Sequence, residues 1–131
     1  MIRSAEEFRS LRLSERRDEY LRAAQEEAPL EVWVEVCARW PELRFWVAQN
    51  KTVPQEILVR LADDDDPKVR GMVARKRKLN PSLQANLVRD PDASVRASLA
   101  QNPKLLDEFR GLLLEDPEGF VREAARRDET G

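Results

Sequence analysis

The chain has 131 residues, 37% of them charged, with a formal net charge of −2, no histidine and a single cysteine, Cys37. That length fits one ordinary domain, and the composition excludes Ser–His–Asp and Cys–His catalysis, His-rich or Cys-rich zinc sites, iron–sulfur ligation and intrachain disulfides. The first twenty residues lack an apolar signal-peptide region, no apolar run nears the ~20 residues of a membrane span, and with an unpaired cysteine this predicts a reducing, cytoplasmic setting.

Leu, Ala, Arg and Glu make up nearly half of the chain. All are good helix formers, so the expected class is all-α. Ser4 and Glu7 form an S-x-x-E capping box, followed by Phe8 and Leu11. Ser14 is placed to cap a second helix running to about Glu27, with Tyr20, Leu21 and Ala24 on one face. Residues 1–27 are therefore expected to form an N-terminal helical cap. Residues 30–37 and 41–50 read as a first helix pair. The next pair runs from Pro54 to Ala62 and from Asp66 to Arg75. Pro54 suits a first helical turn, where its missing N–H is an orphan donor in any case. Ile57, Leu58 and Leu61 share one face, as do Val69, Met72 and Val73. Asn50 and Asn102 are expected as left-handed C-caps, with Lys76 in the same column.

A 26-residue period governs the remainder. Arginines stand at 44, 70, 96 and 122, each after Leu or Val. Val47-Ala48, Val73-Ala74 and Leu99-Ala100 follow three residues later. Asp64, Asp90 and Asp116 stand six residues before their arginines, whereas Ala38 holds that column in the first copy. Leu61, Leu87 and Leu113 form another column, as do Ile57, Leu83 and Phe109. Helices of about nine residues are marginal alone, and stacked pairs bury one another's apolar faces. The expectation is a single domain: a short α-solenoid of about 3.5 repeats over residues 28–127, with 128–131 as a tail.

The stretches Leu61-Ala-Asp-Asp-Asp-Asp-Pro-Lys-Val-Arg70, Leu87-Val-Arg-Asp-Pro-Asp-Ala-Ser-Val-Arg96 and Leu113-Leu-Glu-Asp-Pro-Glu-Gly-Phe-Val-Arg122 carry a resemblance. Their pattern resembles HEAT-like repeats, and the short unit looks like the bacterial leucine-rich repeat variant subgroup. The resemblance implies helical hairpins, a scaffold or binding role, and a hydrogen-bonded ladder of Asp64, Arg70, Asp90, Arg96, Asp116 and Arg122. Some members of that subgroup carry a Cys-rich cluster. One cysteine cannot hold it, so no cofactor is carried over.

Several features invite chemistry and are weighed against plainer roles. The ladder arginines could read anions, but pairing with an aspartate would fix stacking instead. Asp63–Asp66 lacks calcium-loop spacing and reads as a helix cap, so no metal is expected. Residues 67–101 carry eight Lys or Arg against two Asp, a basic island in an acidic chain. Its run Arg75, Lys76, Arg77 and Lys78 is either a solvated loop or the contact for an anionic partner. Trp33, Trp40, Phe45 and Trp46 cluster in the first pair. Either the cap covers them all, or Phe45 faces outward in a column with Gly71, Ala97 and Glu123, while Trp46 is buried against the cap. Cys37 is expected as a small buried apolar residue.

The second helices would project Glu42, Phe45 and Gln49, then Lys68, Gly71 and Arg75, then Ser94, Ala97 and Gln101. The candidate partner-binding residues are Phe45, Gln49, Lys68, Arg75, Lys76, Arg77, Lys78 and Gln101. With no catalytic set in view, the expected function is a non-enzymatic protein–protein interaction module for a segment with acidic character. The alternative is a nucleic-acid-binding module using residues 67–101, which the acidic pI of about 5.4 disfavours.

Overall fold

The computed structural model describes residues 1–130, with side chains through Arg126. Among the described residues it is all-α, with ten α-helices and no strand. It divides into two compact units, at residues 1–61 and from Ala62 onward.

The first unit contains α1 (Ala5–Leu13), α2 (Arg17–Gln25), α3 (Leu30–Arg39), a 3-10 turn at Pro41–Leu43, α4 (Arg44–Gln49) and α5 (Gln55–Leu61). Its core is aromatic. Phe8 and Trp33 are fully buried and meet edge to face, with ring centroids 5.3 Å apart. Such a geometry aligns the positive ring edge with the partner's negative face. Ile2, Val36, Val47 and Ala48 complete the buried set. The Ser4 hydroxyl accepts from the Glu7 N–H at 3.0 Å, but Glu7 returns its bond to the Arg3 N–H rather than to that of Ser4. Ser14 ends α1 and does not cap α2. Its hydroxyl accepts from the Arg16 N–H and donates to Glu19, because residues 15 and 16 lie between it and the helix it was expected to open, and Arg16 takes the N-cap position. On α2, Ala23 is the buried residue, while Tyr20, Leu21 and Ala24 are half-buried.

The second unit contains α6 (Pro67–Ala74), α7 (Pro81–Leu87), α8 (Ala93–Ala100), α9 (Asp107–Leu113) and α10 (Gly119–Thr130). Asp66, Asn80 and Asp92 are side-chain N-caps, and proline opens α6 and α7. α8 packs against both α6 and α10, α7 touches α6 and α8, and α9 touches α8 and α10. Val69, Val73, Leu83, Leu87, Val95, Leu99, Leu113 and Val121 are buried. Of the tail expected at 128–131, the backbone through Thr130 is helical and Gly131 lies outside the described residues.

Candidate partner surface

Two kinds of buried polar bond hold the second unit's loops. The first is an arginine fork. Arg70 Nε and Nη2 donate to the two carboxylate oxygens of Asp90, at 2.9 and 3.2 Å, while Nη1 donates to the Asp64 carbonyl at 2.8 Å. Arg96 repeats this with the Asp116 carboxylate, at 2.7 and 3.2 Å, and the Asp90 carbonyl at 2.6 Å. Each arginine thus bonds the backbone of the aspartate six residues before it and the carboxylate of the aspartate twenty residues after it. Arg122 makes the backbone bond, to the Asp116 carbonyl. Asp64, Asp90 and Asp116 each also accept from the N–H two residues on. Burial alone would raise the Asp116 carboxyl, but the Arg96 fork and the Glu118 N–H bring it below its ordinary range. In the first unit Arg44 is engaged as well, donating Nε to the Cys37 carbonyl at 2.8 Å.

The second kind is a buried amide clamp. Asn102 Nδ2 donates to the Ala74 and Lys76 carbonyls at 2.8 and 2.9 Å, and its Oδ1 accepts from the Lys104 N–H at 2.8 Å. Gln84 Nε2 donates to the Leu79 and Lys104 carbonyls, and its Oε1 accepts from the Leu106 N–H. Together these two side chains stitch the loop before α7 to the loop before α9. In the first unit Asn50 acts in the same way on the Ala23 and Glu26 carbonyls and the Thr52 N–H. The expectation of left-handed caps is therefore corrected. Asn50 has φ −55° and ψ 131°, and no described non-glycine residue has positive φ. The side-chain amide, not backbone tolerance, is what these positions use. The signal was visible: Asn50 and Asn102 lie in one 26-residue column.

The stitched loops carry the basic residues. Arg75, Arg77, Lys78 and Lys104 are exposed. Lys76 is half-buried, and burial pulls its amine below the ordinary value. Lys104 joins the patch only through the Asn102 and Gln84 bonds, and reading the run at 75–78 alone missed it. Arg75 and Gln101 end α6 and α8, two helices that pack together, and both are exposed. Lys68 is exposed two turns before Arg75, about 10 Å along α6.

Phe45 and Gln49 belong to the first unit. Phe45 is half-buried, its ring edge to face with that of Trp46 at 4.9 Å. The outward column expected for Phe45, Gly71 and Ala97 is corrected at Gly71, which is buried. A Cβ there would lie 3.5 Å from the Ser98 hydroxyl, so this position faces α8. The exposed aromatic of the second helices is Phe120, 54% exposed, in the column of Lys68 and Ser94. Extending the row of second helices by one period would have found it.

Trp46 is half-buried rather than buried, and the Arg12 guanidinium lies 3.5 Å from its ring centroid. The Arg9 and Arg39 guanidiniums approach the Trp40 ring centroid at 5.4 and 4.3 Å. Cys37 is half-buried, not fully buried. It borders a cavity of about 290 Å³ with Val34, Ala38, Arg44, Ile57, Arg60 and Leu61. Among the described residues no cluster of three or more His, Cys, Asp or Glu is arranged to hold a metal ion, and no helix is long and apolar enough to cross a membrane. Comparison with protein-family models, curated proteins and solved structures found no match to this chain.

Proposed function

We propose that the chain is a short stack of HEAT-like helical hairpins, of the leucine-rich repeat variant kind, that serves as a non-enzymatic interaction module for a partner's acidic segment. One observation carries the reading. Arg75, Arg77 and Lys104 are exposed and lie on helix ends and loops that the buried amides of Asn102 and Gln84 hold in place. Cations on a fixed backbone give up side-chain rotamers on binding but no backbone freedom, which favours recognition. Arg70 and Arg96, by contrast, are committed to internal carboxylates and leave the surface role to these residues. The recurrence of the fork at 26-residue spacing, and of the asparagine clamp two periods apart at Asn50 and Asn102, supports the stacked-hairpin reading.

A short acidic peptide suits the patch better than a long polyanion. The exposed Glu and Asp residues elsewhere on this acidic chain repel a ligand that extends past the patch. The test is a titration with a fluorescent Asp/Glu-rich peptide, and with single-stranded DNA and RNA, over a salt series. Peptide binding that weakens at least tenfold in an Arg75→Glu/Lys104→Glu variant supports the proposal. Tighter nucleic-acid binding with a steep salt slope favours the second reading, an RNA or DNA module. Peptide binding unchanged in the double variant places the partner elsewhere.

A further inference from the structure

Arg122 stands in the same relation to its own aspartate as Arg70 and Arg96 do to theirs. All three donate Nη1 to the carbonyl six residues before them. In Arg70 and Arg96 the other edge of the guanidinium, Nε and Nη2, grips an aspartate carboxylate at two points. The corresponding edge of Arg122 meets no carboxylate among the described residues. The backbone bond already holds the guanidinium plane, so the geometry for a bidentate grip is prepared in advance.

The apolar residues at this end follow the same pattern. Leu83 and Val88 are buried, whereas their counterparts one period later, Phe109 and Leu114, are only half-buried. Something that covered Phe109 and Leu114 and supplied a carboxylate would reproduce what surrounds Leu83, Val88 and Arg96.

We infer that the Arg122 guanidinium, with Phe109 and Leu114, is a receptor for one aspartate at the end of an apolar helical segment of a partner protein. The two internal examples define the ligand's chemistry. Asp90 and Asp116 each follow a leucine-bearing helix and each accept from the N–H two residues on, which orients the carboxylate before the arginine grips it. A glutamate has one more methylene and would not reproduce that turn. A tract of acids is disfavoured too, because Glu115, Glu118 and Glu123 are exposed on the same segment. A second copy stacked end to end would present residues 1–27, whose one aspartate, Asp18, lies in the first turn of α2 rather than just after a leucine-bearing helix. This site differs from the basic loops at 75–78 and 104 and does not rest on that reading.

The test uses the whole chain and a capped peptide copying residues 81–92, which carries Leu83, Leu87, Val88 and Asp90 in the order seen inside the fold. Nitrogen-15 NMR of the arginine Nε–H groups is the readout. In the protein alone, the Arg70 and Arg96 signals should be protected from solvent exchange and that of Arg122 should not. The peptide should protect and shift the Arg122 signal. An Asp90→Asn peptide, or an Arg122→Lys protein that keeps the charge but loses the fork, should bind at least tenfold more weakly. Arg75→Glu should bind normally. Four results would overturn the inference: no binding up to about 1 mM peptide, equal binding by the Asn peptide, an Arg122 Nε–H already protected without peptide, or self-association of the chain that Arg122→Lys abolishes.

Discussion

The two units solve the same problem with different chemistry. In the first, large rings fill the core: Phe8 against Trp33, with Trp40 and Trp46 covered by Arg9, Arg39 and Arg12. In the second, the core holds mostly Val and Leu, and directional polar bonds from Arg70, Arg96, Gln84 and Asn102 tie helix ends to loops. Ring packing gives stabilisation roughly in proportion to buried area and tolerates small displacements. A bidentate fork or a three-bond amide clamp adds less energy but fixes register, because it fails when its partners move by an ångström. Asn50 shows that the first unit has not abandoned clamps; it combines one with the aromatic core.

The largest expected effect that would sharpen this contrast is Trp33→Ala. It removes a fully buried ring and the edge-to-face contact with Phe8, and should cost about 3–5 kcal/mol in urea unfolding followed by circular dichroism. A cost below about 1.5 kcal/mol would show that the aromatic core is loosely packed. Next comes Asn102→Ala, which leaves the Ala74 and Lys76 carbonyls and the Lys104 N–H without their partner. Its expected cost is about 2–3 kcal/mol, and Asp116→Ala should cost about 2 kcal/mol by stranding the half-buried Arg96. If both fall within a few tenths of wild type, the polar bonds of the second unit contribute little.

Acid should weaken both units in a defined direction. Glu26 bonds Arg22 and the chain's amino terminus, and these bring its carboxyl down to about 2 from an ordinary 4.5. A lowered folded-state pKa stabilises fully above the unfolded value and is lost as pH falls through the folded one. Glu26 therefore contributes above about pH 4.5 and loses that contribution down to about pH 2. Asp116, also lowered, acts in the same direction. The thermal midpoint should drop on acidification from pH 5 to 2, and Glu26→Gln should flatten part of that drop. The smallest effect is expected at Arg39→Ala. Its ion pairs with Glu6 and Glu35 are exposed and screened by solvent, so the thermal midpoint should fall least of all these variants, mostly from uncovering Trp40.

Much of this was legible in the order of residues. Helix class, the break and cap at Asp63–Asp66, and the apolar faces of α5 and α6 follow from spacing and composition, because helix period and capping are local properties. The period of 26 placed Arg70, Arg96 and Arg122 in one column, and their shared backbone bond is equally local, six residues back. What spacing could not supply was direction across the fold. Only the tertiary structure decided that each fork takes the carboxylate twenty residues ahead, that Gly71 faces Ser98, and that Lys104 lies beside the basic run through Asn102 and Gln84. Those outcomes depend on which helix lies next to which. A residue's period marks its face on its own helix, while its partner is set by the close packing of the neighbouring one.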